Sequence, residues 1–93
     1  MIIVLKEKMG ALGMGQLEKK FGMVVRKKRQ ALGFSQEAFA EKADVHRTYI
    51  SDIELGKVNV GIAVAEKLAG ALNASLSHLI REAEAEYKVT SRK

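Results

Sequence analysis

Between Ser35 and Leu55 the chain reads SQEAFAEKADVHRTYISDIEL. No other stretch limits the possible folds as much. It reads as two short helices with a tight turn between them. Ser35 suits the N-cap of the first, because its hydroxyl can accept from a free backbone N–H. Glu37 follows where the helix dipole favours negative charge. Phe39, Ala40 and Ala43 fall on one face at helical spacing. Ala40 is small where a second helix must cross closely. Asp44 and Val45 fit the turn. A second helix opens at Arg47, with Ile50 and Ile53 directed to the same core. Arg47, Thr48, Tyr49, Ser51 and Asp52 are then left on its outer face.

This pattern resembles the helix-turn-helix of the phage-repressor family of DNA-binding proteins. Gln36, Ala40, Val45, Ile50 and Ile53 match the family's Gln, its Ala and its apolar positions. Glu54-Leu55-Gly56-Lys57 matches its closing Glu-x-Gly-Lys. The run His46-Arg47-Thr48-Tyr49-Ile50-Ser51 is similar, more particularly, to the controller proteins of restriction–modification systems. The resemblance covers the chain from Phe21 to Ile80. It implies an all-α fold, a compact lambda-repressor-like bundle of about five helices. It also implies a transcriptional regulator that binds double-stranded DNA sequence-specifically, as a homodimer on an inverted repeat. Such a regulator takes no metal and no other cofactor, and RNA polymerase is a further partner for it. Two positions depart from the pattern. Asp44 stands where the family usually has Gly, although Asp tolerates a left-handed backbone better than most residues. His46 stands where a Ser, Thr or Asp cap is usual, and its ring accepts an N–H only while neutral.

Ninety-three residues fit one domain. The 47% apolar fraction supports a core, although a chain this short buries a limited share of its surface. With no cysteine there is no disulfide and no thiolate metal site. No apolar run approaches a membrane span. MIIVL is too short for a signal-peptide core and is interrupted by Lys6, Glu7 and Lys8. The expected location is the cytoplasm. The net charge of +5 is unevenly placed: residues 1–34 carry eight Lys/Arg against two Glu, and residues 35–60 three against five acidic groups. A basic balance favours a polyanionic partner. Here the helix before the motif supplies it, so the motif carries the case for DNA.

Residues 1–16 read as an N-terminal extension outside the resemblance. Gly10, Gly13 and Gly15 argue against a stable helix there, at about 1 kcal/mol each relative to Ala. A frayed extension is the plain reading, and an apolar dimer arm at Ile2 to Leu5 the sharper one. Residues 17–86 form the DNA-binding domain, and 87–93 a loose polar tail. The first helix runs from Leu17 to Leu32, with Phe21, Val24, Val25, the Lys28 stem and Leu32 as its buried stripe. Gly33 suits the left-handed position that ends it. Its basic run is Arg26-Lys27-Lys28-Arg29, and the resemblance pairs Arg29 with Glu54 as a partly buried ion pair. Gly56 to Val60 is a loop. A fourth helix covers Gly61 to Leu72, with Ile62, Ala65, Leu68, Ala69 and Leu72 inward. Asn73 stops it, and Ser75 caps a fifth helix whose apolar face is Leu76, Leu79, Ile80 and Ala83. The resemblance makes the corresponding helix the dimer contact, through Leu76, Leu79, Ile80 and Ala83; part of that face must close the monomer core, so the expected seam is its outer edge, with Leu79 or Ile80 central.

Catalysis is not supported. His46 and His78 are far apart in sequence, and Glu82, Glu84 and Glu86 do not share a helix face. Gly10, Gly13 and Gly15 lack the Lys-Ser/Thr of a phosphate loop. His78 fits a half-buried helix residue better than a metal ligand. A helix fits the major groove, and its N-terminal side chains reach base edges. Arg47 suits guanine O6 and N7. Thr48 offers a hydroxyl and a methyl, and Tyr49 can pack on a thymine methyl or bond a phosphate. Ser51 and Asp52 complete the base-facing set; Asp52 either accepts from a cytosine N4 or holds Arg47. The phosphate-facing set is Ser35, Gln36, His46, Lys57 and Asn59, of which Gln36, Lys57 and Asn59 follow from the resemblance. The plain alternatives are a surface pair of Arg47 with Asp44 and partial core packing for Tyr49. An antitoxin or coactivator-type interaction module is the competing function, since the same fold serves both.

Overall fold

A computed structural model describes the backbone of residues 2–91 and the side chains of residues 16–86. Five helices follow one another: α1 Ile2–Ala31, α2 Gln36–Ala43, α3 Arg47–Glu54, α4 Ile62–Ala71 and α5 Leu76–Ser91. Each stop is written in local chemistry. Gly33 ends α1 with φ 82°. Asp44 ends α2 at φ 60°, ψ 47°, with its N–H directed to the carbonyls of Ala40 and Glu41. The Asp therefore does the work of the usual glycine, at a position most side chains avoid. Asn73 takes the same backbone region after α4, at φ 57°. Ser75 Oγ then accepts from the His78 N–H at 3.1 Å and opens α5.

The core is apolar and drawn from all five helices: Phe21, Val24 and Val25 from α1, Phe39 and Ala40 from α2, Ile50 and Ile53 from α3, Leu68 from α4 and Leu79 from α5 are among its buried members. α1 is the spine. It packs along α5 on one side and against α3 on the other. The approach to α3 is close at Gly22, where an added Cβ would overlap the Ile53 carbonyl oxygen. Along the α1–α5 seam, Glu82 receives both Lys28 Nζ at 3.3 Å and His78 Nε2 at 2.8 Å.

Several expectations are corrected. The backbone is helical from Ile2, although three glycines argued otherwise. A helix already nucleated and packed from Leu17 onward adds one hydrogen bond per further residue, and no proline interrupts it. α5 likewise runs on to Ser91, past the expected start of the tail. The side chains of the Ile2–Leu5 arm and of the tail lie outside the described residues, as do Met1, Arg92 and Lys93. Leu32 is 48% exposed because α1 stops one residue before it and the stripe ends with it. Ile62 is 78% exposed: it is the first residue of α4, beyond the reach of the core layer that Ala65, Leu68 and Ala69 join. Leu79 and Ala83 are fully buried within the single chain. They close the core beneath α5, so they are not available to a second copy. No helix among the described residues is long and apolar enough to cross a membrane.

Candidate nucleic-acid interface

The two helices of the motif are fixed by polar contacts at both ends. Ser35 Oγ accepts from the Ala38 N–H at 3.0 Å and caps α2. His46 Nδ1 accepts from the Thr48 N–H at 3.1 Å and caps α3. The unusual histidine is therefore a working cap, and it sets the first turn of α3 where Arg47 and Thr48 project.

The other end of α3 is tied to α1. Arg29 Nε donates to Glu54 Oε2 at 2.6 Å and Nη2 donates to Oε1 at 3.1 Å. Nη1 donates to the Phe34 carbonyl at 2.7 Å. Arg29 and Glu54 are 8% and 7% exposed. The planar guanidinium thus meets a carboxylate at two points and a carbonyl at a third, which fixes direction as well as charge. Gln36 joins this network, its Nε2 donating to Glu54 Oε1 at 3.1 Å. The expected phosphate anchor is therefore also a structural link. One amide hydrogen is committed inward to Glu54, and the second remains for another acceptor. A single polar chain runs from the end of α1, through the end of α3, to the start of α2.

On the outer face Arg47 and Thr48 are exposed, and Tyr49, Ser51 and Asp52 are half-buried. Tyr49 packs partly against the core, so its two readings are compatible: the ring lies inward while part of the residue stays accessible. Arg47 is not paired with Asp44, whose carboxylate lies 3.9 Å from Lys67 Nζ. Arg47 instead borders a shallow cavity of about 290 Å³ with Ser35, Gln36 and Glu37. The start of α2 and the start of α3 thus share one surface. Glu37 belongs to that surface, although its place in the sequence suggested only a dipole role. Ser35, His46, Lys57 and Asn59 are exposed and Gln36 is half-buried; of these, Ser35 and Gln36 line the cavity beside Arg47. The Lys57 N–H donates to the Asp52 backbone carbonyl at 2.9 Å, which turns the chain out of α3 into the loop. Gly56 makes this turn at φ 71° and sits against Lys19 of α1, leaving no room for a Cβ. The Lys19–Gly56 contact went unread in the sequence, because nothing local to either residue signals it.

A short helix capped and braced from behind, joined through a tight turn to a second that presents Arg, Thr, Tyr, Ser and Asp outward, is a DNA-binding helix-turn-helix. The helix-turn-helix family HTH_3 matches residues 25–79, and the chain belongs to that family. It is similar to the control protein C.MunI of a Mycoplasma species, 38% identical over 74 residues, which span 78% of this chain and 100% of that protein. Among solved structures it is similar to the restriction–modification controller protein C.AhdI from Aeromonas hydrophila. The two share 37% identity with a TM-score of 0.65, covering 67% of this chain and 94% of that one. It is also similar to the controller protein C.Esp1396I, solved as a tetramer with its natural 35 base-pair operator. There the identity is 35% and the TM-score 0.64, over 72% of this chain and 93% of that one. The protein is a helix-turn-helix DNA-binding regulator related to restriction–modification controllers.

Proposed function

We propose that this regulator acts as a homodimer on an inverted-repeat operator in the cytoplasm, as the controller of a restriction–modification system. RNA polymerase is its further partner at the promoter. The observation that carries the reading is the exposed start of α3, with Arg47 free of Asp44 and backed by the Arg29–Glu54–Gln36 network. A base-reading arginine must be both accessible and held in direction. The relatives support a controller over an antitoxin or a coactivator.

One domain reads only a few base pairs, and a closed two-fold dimer doubles that address. Its two recognition helices lie about 34 Å apart on one face of the duplex. With Leu79 and Ala83 inside the monomer, the dimer face is the remaining edge: Leu76 and Ile80, both half-buried, joined by the exposed Ile62. Selection of bound duplexes from a random library tests the reading. The expected result is one preferred inverted repeat bound by two chains. Recovery of no preferred sequence, or of a single half-site bound by one chain, would remove it.

A further inference from the structure

α3 is eight residues long. A helix of that length is marginal in isolation and depends on what holds its two ends. Arg29 and Glu54 hold the far end. The near end, from which Arg47 and Thr48 project, is held by His46. Its carbonyl accepts from the N–H groups of Tyr49 and Ile50 at 3.0 and 3.2 Å. The Thr48 N–H has no carbonyl one turn before it inside the helix, and it goes to His46 Nδ1 at 3.1 Å. No acidic side chain stands in the first turn to help.

The caps of α2 and α5 are the hydroxyls of Ser35 and Ser75, which do not titrate. An imidazole differs. Nδ1 accepts only while the ring is neutral and its proton sits on Nε2. Protonation turns Nδ1 into a donor facing the Thr48 N–H, and it sets a positive charge at the positive end of the helix dipole. The charged groups around the turn are Asp44 from α2, whose carboxylate lies 3.9 Å from Lys67 Nζ of α4, and Arg47, which borders a cavity with Glu37. Among the described residues, no carboxylate is within ion-pair distance of the His46 ring. We infer that neutral His46 is a positioning residue for base reading, and that its protonation exchanges sequence specificity for general attraction to DNA. Without the cap, Arg47 and Thr48 lose the fixed direction that a preferred site needs and a random duplex does not. The added charge attracts both duplexes alike. The ratio of the two affinities therefore falls, even where total binding does not. This rests on the reading of Arg47 as a base contact and adds a control on it.

Titrations of the full chain on the preferred duplex and on random DNA, at about pH 8 and about pH 5.5 and one ionic strength, test it. The specificity ratio of the parent should fall about three- to tenfold between them, the loss expected of one helix cap. His46→Asn replaces the ring with a strong cap that does not titrate. It should hold the ratio level, near the parent's value at the higher pH. His46→Ala should give the low ratio at both. His78→Gln removes the other histidine of the chain and should leave the fall in place. Proton–nitrogen correlation spectra of the isotope-labelled chain at the higher pH should find the His46 proton on Nε2 and none on Nδ1. A level ratio in the parent overturns the inference, as does a His46→Asn protein that falls as the parent does. So does a fall that disappears with His78→Gln, or a proton on His46 Nδ1 at the higher pH. A parent that prefers no duplex at the higher pH overturns the base-reading assignment itself, and so is told apart from these.

Discussion

Arg29 and Glu54, 25 positions apart in the chain, meet at two points inside the domain, and Gln36 bonds the same carboxylate from the start of α2. The pair joins α1 to the last turn of α3, so the proposed recognition helix is held from its far end. Desolvation offsets much of the attraction in a buried pair. Its value here lies in orientation.

That balance gives the first prediction. Glu54→Leu leaves Arg29 buried without its carboxylate and should cost about 3–5 kcal/mol. Arg29→Met with Glu54→Leu should cost much less. It should still not be neutral, because the Phe34 carbonyl also loses its donor, worth about 1 kcal/mol. Urea unfolding of the two single variants and the double closes the cycle. Additive losses would show that the two side chains do not interact.

Two glycines separate close packing from helix propensity. Gly22→Ala drives a Cβ into the Ile53 carbonyl oxygen, which belongs to backbone and cannot swing away. It should destabilise by about 1–3 kcal/mol and weaken DNA binding, since α3 must shift. Gly70→Ala meets nothing within 4 Å near the end of α4. It should be neutral or stabilising by up to about 1 kcal/mol. A Gly22→Ala protein as stable as the parent would mean that α1 and α3 stand further apart.

What could be read from the sequence divides along physical lines. Ser35, Asp44, His46, Asn73 and Ser75 were legible because a cap or a stop depends on groups within a few residues. Phe39, Ile50 and Leu68 were legible because period gives the buried side of a helix. Period does not give depth or length. It placed Ile62 and Leu32 on the inward side without showing that each stands at a helix end, past the core. It placed Leu79 on the right face of α5 without showing that the core covers it completely. The bond from Gln36 to Glu54 spans 18 positions and two helices. Only the fold brings those residues together. The helix before Leu17 was misread because per-residue glycine penalties omit the advantage of extending a helix that already exists.

Arg47 and Lys57 should behave differently on DNA, because base contacts specify while phosphate contacts position. Arg47→Ala should cost about 1–3 kcal/mol on the preferred duplex and much less on random DNA. Lys57→Ala should weaken both alike and flatten the dependence on log salt by about one unit. Titrations of both duplexes at several salt concentrations check this. Equal losses on the two DNAs for Arg47→Ala would remove it from the base-reading set.

Gln36 bonds Glu54 and is, in the proposed reading, also a phosphate contact, and two substitutions separate the two roles. Its amide nitrogen has two hydrogens, and Glu54 Oε1 takes one of them. The other is the one available to a phosphate beside Ser35 and Arg47, where the same cavity opens. Gln36→Ala removes a neutral donor from a carboxylate that keeps both Arg29 bonds, so stability should fall by only about 1 kcal/mol. Gln36→Glu keeps the shape but sets a carboxylate against Glu54 and against the DNA backbone. It should lower stability further than Gln36→Ala and weaken binding to specific and random duplexes alike. Raising the salt should narrow the binding gap to the parent, because screening reduces repulsion between charges near the surface. If Gln36→Glu binds DNA as the parent does, the phosphate role fails and the link to Glu54 is all that Gln36 provides.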